Sequence, residues 1–142
     1  MRHGTWVVVA DGKKALLLHN TGSAVEPDLQ VLYKDVQVNP PTSAQGTERP
    51  GRNADPVYGK SAMENTDWHQ IAEDKFAHTV AGWVNAAALE KEFETLVVVA
   101  PARTLGELRK HFHKETQSRI IQEVDKDLTR HTVAEIAKLL ST

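Results

Sequence analysis

The chain contains no cysteine among its 142 residues. Disulfides, thiolate metal sites and thiol nucleophiles are excluded together, and a reducing compartment is the expected setting. Long hydrophobic runs are missing too. Met1-Arg2-His3-Gly4-Thr5 leads into Trp6-Val7-Val8-Val9-Ala10, about five apolar residues, too few for a signal-peptide core or a membrane span. We therefore expect a cytoplasmic protein with no membrane insertion. Neither charge dominates: 17 Lys and Arg stand against 19 Asp and Glu, interspersed, for a formal net charge of −2. With no global field to draw it to nucleic acid or an anionic membrane, any anion contact has to be local. There is no internal repeat, no Gly-x-Ser-x-Gly elbow and no Gly-rich phosphate loop after a strand, which sets aside the common serine hydrolases and nucleotide binders.

What is present supports one core. A chain of this length with 40% hydrophobic residues is short for two domains, so residues 1–142 are expected to form a single one. Trp6-Val7-Val8-Val9-Ala10, the turn Asp11-Gly12 and Ala15-Leu16-Leu17-Leu18-His19 read as a β-hairpin. After a break containing Gly22, Ser23 and Pro27, residues Leu29, Val31, Tyr33, Val36 and Val38 mark a third, antiparallel strand. From Asn39 to about Glu64 the chain is polar and rich in Pro, Gly, Ser and Thr. Such a long loop in a compact domain is as a rule either functional or disordered.

A helix is expected from Asn65 or Thr66, with Trp68, Ala72, Phe76, Val80, Trp83 and Ala87 as its buried stripe. Thr95-Leu96-Val97-Val98-Val99-Ala100 is continuously apolar, the mark of a strand buried on both faces at the centre of a sheet. Thr104-Leu105-Gly106-Glu107 has the form of a capping box opening a helix, with Leu105, Leu108 and Phe112 inward. Ser118 to Asp125 gives a fifth strand, and a second capping box, Thr132-Val133-Ala134-Glu135, opens the last helix. The expected fold is α/β, a mixed five-stranded sheet in β-β-β-α-β-α-β-α order with helices on its faces. The Asp11 turn, the 39–64 loop and Pro101 to Thr104 should fall on one edge of the sheet, where open α/β sheets usually bind ligands.

Six segments, in the same order, resemble the host-attachment protein family: Trp6 to Gly12, Arg49-Pro50-Gly51-Arg52, Phe76-Ala77, Val99-Ala100-Pro101, Leu105-Gly106-Glu107-Leu108-Arg109 and Lys126-Asp127-Leu128-Thr129. The resemblance spans nearly the whole chain. It implies a ribonuclease H-like fold similar to the middle domain of archaeo-eukaryotic release factors and Pelota, proteins of peptidyl-tRNA release and ribosome rescue. It also places the 39–64 loop where release factors carry a Gly-Gly-Gln loop. No Gly-Gly-Gln occurs here, the nearest pair being Gln45-Gly46 in reversed order.

Candidate binding residues follow from both readings. Arg49 and Arg52 flank a Pro-Gly turn that suits bidentate grip of phosphate, although Glu48 or Asp55 could equally pin them as a structural turn. Arg103 and Thr104 stand at a helix start, which favours anions, or Thr104 serves only as a cap. Tyr58 is placed to stack on a base, and Gln45 is the nearest match to the release-factor glutamine. The basic stretch Arg109, Lys110, His111, His113, Lys114 and Arg119 reads as an RNA contact or, more simply, as a solvated face. None of the seven histidines has the spacing of a zinc hydrolase, and Asp11 reads as a turn residue. We therefore expect no metal, no cofactor and no catalytic group. The expected function is a non-enzymatic RNA-binding module for ribosome or tRNA. The alternatives are a cytoplasmic regulatory or structural protein that influences host attachment through protein partners, and a release-factor-like peptidyl-tRNA hydrolase.

Overall fold

The computed structural model describes residues 1–36 and 62–141, with side chains over 1–35 and 68–141. Five strands, β1 (Trp6–Ala10), β2 (Lys14–Asn20), β3 (Leu29–Val36), β4 (Leu96–Ala100) and β5 (Ile120–Asp125), form one mixed sheet in the order β3-β2-β1-β4-β5. The helices are α1 (Ala62–Leu89), α2 (Ala102–His111), α3 (Lys114–Gln117) and α4 (Val133–Ser141). The meander β1-β2-β3 is antiparallel, while β4 runs parallel to both β1 and β5.

The sheet is stable because period-two alternation feeds two separate apolar layers. One face turns Val8, Ala10, Leu17, Leu96, Val98 and Ala100 against α1 and α2; the other turns Val7, Val9, Leu16, Leu18, Val97 and Val99 against Leu128 and Ile136. All five residues of β4 are buried, as its unbroken apolar run requires. β4 is an interior strand, and β1 takes the middle place.

Several boundaries differ from the sequence reading. Helix α1 starts at Ala62, so residues 62–64 of the expected loop are helical. Trp68, expected in the buried stripe, is 45% exposed, whereas Phe76, Val80, Val84 and Ala87 are buried. The reason is geometric. A 28-residue helix is about 42 Å long and a five-residue strand about 17 Å. Glu73 of α1 already lies beside Gly12 at the sheet's edge, so the turns before it extend past the sheet.

The helix after β4 begins at Ala102 with Pro101 in the N-cap position and no side-chain cap. Thr104 is thus inside the first turn and does not cap it. The Pro101 ring fixes φ and lacks an N–H, which starts the helix earlier than a threonine cap at 104 would. Strand β5 begins at Ile120, two residues later than Ser118, because α3 ends only at Gln117. The second capping box is present: Thr132 N donates to Glu135 Oε1 (2.9 Å) and Glu135 N to Thr132 Oγ1 (3.1 Å).

Candidate functional site at the carboxyl edge of the sheet

Parallel pairing of β1 with β4 sets their carboxyl ends side by side, Val9 opposite Val99, so Asp11 and Pro101 leave the sheet together. Val36, the last described residue of β3, pairs with Lys14 immediately beyond the Asp11-Gly12 turn. The described part of β3 therefore ends at this same edge.

Asp11 closes the turn. Its Oδ1 accepts from the backbone N–H of Lys13 and of Lys14, both at 2.7 Å, an arrangement that ends β1 and starts β2. Its Oδ2 accepts from Thr129 Oγ1 at 2.9 Å. Thr129 is 2% exposed, and its hydroxyl also lies 2.7 Å from Asp127 Oδ1. Two sequence segments 118 positions apart are thus tied together by one hydroxyl. Nothing in their spacing announces the contact, and both oxygens of Asp11 are engaged in holding the fold. A Cβ on Gly12 would come within 2.6 Å of Glu73 Cδ, the far end of a flexible side chain, so the Glu73 carboxylate lies directly against this turn.

The start of α2 has a different character. No side chain caps it and no acidic residue lies in its first turn, leaving amide groups at the positive end of the helix dipole. Arg103 Nη2 stands 3.7 Å from Asp74 Oδ1, and Asp74 also accepts from Gln70 Nε2 at 3.0 Å. With the Arg103 side chain 59% exposed, that loose pair leaves the guanidinium accessible from solvent. Of the expected site residues, Arg103 and Thr104 are brought to this edge. Arg49, Arg52, Tyr58 and Gln45 lie outside the described residues.

The basic stretch beyond is largely committed within the protein. Arg109 forks onto both oxygens of Glu123, and this carboxylate raises the guanidinium's already high pKa. Lys110 Nζ donates to Glu107 Oε2 at 2.8 Å, which holds the Glu107 carboxyl below its ordinary range. Arg119 reaches Glu115 Oε1 (3.3 Å) and the Ala88 carbonyl (3.4 Å). His113 Nδ1 accepts from Glu115 N at 3.0 Å and caps α3. Asn85, not singled out from sequence, joins α1 to the α2–α3 junction: its Nδ2 donates to the His111 carbonyl (2.8 Å), and its Oδ1 accepts from His113 N (2.8 Å) and Thr116 Oγ1 (2.6 Å). Among the described residues, no group of three or more His, Asp or Glu is placed to hold a metal ion. Nor is any helix among them long and apolar enough to cross a membrane.

Residues 4–140 match the model of bacterial archaeo-eukaryotic release factor family 12. The chain belongs to that family. Among solved structures, this family 12 chain is similar to an archaeal translation termination factor at a TM-score of 0.51 and 10% identity, covering 96% of its own length and 35% of the factor's. It thus spans about a third of that protein, and the likeness is one of fold: a mixed five-stranded sheet with helices on both faces. No curated protein matches the family 12 chain.

Proposed function

We propose that this family 12 protein is a cytoplasmic, translation-associated binding module that contacts RNA of the ribosome or tRNA through the carboxyl edge of its sheet. The observation that carries the reading is the family match over residues 4–140, joined to a fold like that of a termination factor. Arg103 and the uncapped start of α2 supply one anion-favouring element at that edge. We add Arg49 and Arg52 as a second, with Tyr58 for stacking and Gln45 and Thr104 as further polar contacts, on their residue types alone. Without Gly-Gly-Gln in the sequence, hydrolysis by the release-factor route is not part of the proposal. The test is co-sedimentation of the purified protein with ribosomes and with bulk tRNA over a salt series. Binding that weakens with salt and is reduced by Arg49→Ala with Arg52→Ala, and separately by Arg103→Ala, is the expected result. Unchanged binding in both variants overturns it.

A second reading is supported by β3, which among the described residues is an outer strand pairing only with β2. On β3, Val31 (47%), Leu32 (41%) and Tyr33 (46%) are exposed in succession, an arrangement suited to pairing with a protein partner. A role in attachment to host cells would act through such a partner. Replacing Val31 and Leu32 by lysine would then abolish an attachment phenotype while leaving ribosome binding intact.

A further inference from the structure

We propose that the seam between α1 and α2 carries a second RNA-contact surface, in which the exposed ring of His78, backed by His111, is a stacking platform for an unpaired base. The inference rests on the RNA-binding reading above but uses residues away from the sheet's edge. The imidazoles of His78 and His111 stack with centroids 4.3 Å apart and planes 22° from parallel. Among the described residues neither ring has a hydrogen-bond partner. His111 is half-buried while His78 is exposed, so one face of the His78 ring is covered by its partner and the other is open to solvent. The lone pairs of two stacked rings lie in parallel planes and do not converge, so the pair is unsuited to chelating a metal ion.

The surroundings suit a nucleic-acid strand. Gly82, one turn beyond His78 on α1, is exposed, and a Cβ built there meets nothing within 4 Å. On α2, Gly106 lies between Arg103 and Lys110 along one ridge of the helix, and a Cβ there also meets nothing within 4 Å. Packing among the described residues demands neither glycine, yet each destabilises its helix by about 1 kcal/mol relative to alanine. Gly82 leaves bare backbone one turn from His78. Lys75, one turn before His78, is exposed on the same side, and Arg103 and Lys110 flank the bare turn of α2. The carboxylates on this surface, Asp74 and Glu107, are each held by one of these cations, Arg103 and Lys110. A base stacked on His78 would set a flanking phosphate near Lys75, combining a ring platform with a cation as in sequence-tolerant single-strand binding.

The test uses the full chain and a short fluorescein-labelled single-stranded RNA of mixed sequence, followed by anisotropy at low salt. His78→Ala is expected to weaken binding about tenfold, the loss of one base stack, and His78→Phe to restore it. Gly82→Leu should weaken binding to a similar degree while leaving Tm unchanged or raised, an outcome that a purely structural role for this position does not produce. Wild-type affinity in both His78→Ala and Gly82→Leu overturns the platform alone, even if Arg49→Ala with Arg52→Ala still reduces binding. No RNA binding by the wild-type protein at low salt overturns both this inference and the proposed function.

Discussion

Thr129 carries one hydroxyl proton but stands within hydrogen-bond distance of two carboxylates, 2.9 Å from Asp11 Oδ2 and 2.7 Å from Asp127 Oδ1. Because the residue is buried, replacing that hydroxyl by a methyl group removes the donor to Asp11 Oδ2, while Asp127 Oδ1 keeps the Thr129 backbone N–H at 3.0 Å. Thr129→Val should therefore cost about 1–3 kcal/mol in urea unfolding, and a loss within error of zero would show that the β1–β2 turn holds without it. The capping box at α4 differs in being exposed. Thr132→Ala should cost about 1 kcal/mol, the usual value of an N-cap. Its partner Glu135 has a carboxyl pKa lowered chiefly by the Thr132 backbone N–H. A carboxylate whose pKa falls on folding stabilises above its unfolded value, about 4.3, and loses that contribution as pH drops through the lower folded value. The stability difference between wild type and Glu135→Gln should accordingly shrink as pH falls below about 4; a difference that grows over that range would contradict the assignment. This second box was legible in the sequence because both partners are local. The Asp11–Thr129 contact was not, since it depends on the finished sheet bringing two distant turns together.

At the scale of elements, α1 shows where periodicity stops being informative. Trp68 continues the three-and-four spacing of Phe76, Val80 and Ala87, yet it lies beyond the end of the sheet and is 45% exposed. Spacing reports which face of a helix a residue occupies, not whether anything is there to cover it. The two positions therefore separate by stability. Phe76→Ala should cost about 3–5 kcal/mol and Trp68→Ala well under 1 kcal/mol, measured as urea midpoints at constant slope. Equal losses would mean that Trp68 is packed in solution. Thr104 misled for a related reason: Thr-x-x-Glu is a cap only when threonine precedes the first turn, and Pro101 starts α2 before it. The rest of the basic stretch needed the structure, because Glu107, Glu115 and Glu123 neutralise Lys110, Arg119 and Arg109 from three different elements.

For the whole molecule, the strand pattern carried most of the architecture: a meander, a continuously apolar strand expected at the sheet centre and a fifth strand limit the sheet to a few orders, and in β3-β2-β1-β4-β5 the apolar strand sits one place from the middle. The candidate edge followed from that order, and Asp11 holds its turn as the sequence suggested, while four of the expected site residues lie outside the described ones. The same order bears on cooperativity. The layer under α1 and α2 and the layer under α4 share β1, β2 and β4, whose alternate side chains enter one core or the other. Loss of either layer removes half the burial of the same strands, so we propose that residues 1–142 unfold as one unit. Leu108→Ala in the first layer and Ile136→Ala in the second, both residues fully buried, should each cost about 2–5 kcal/mol. Each should shift a single transition that coincides by tryptophan fluorescence and far-ultraviolet circular dichroism. If Ile136→Ala instead splits the transition, with fluorescence unchanged while part of the helical signal is lost, then α4 and its layer form a separable unit and the single-domain proposal fails.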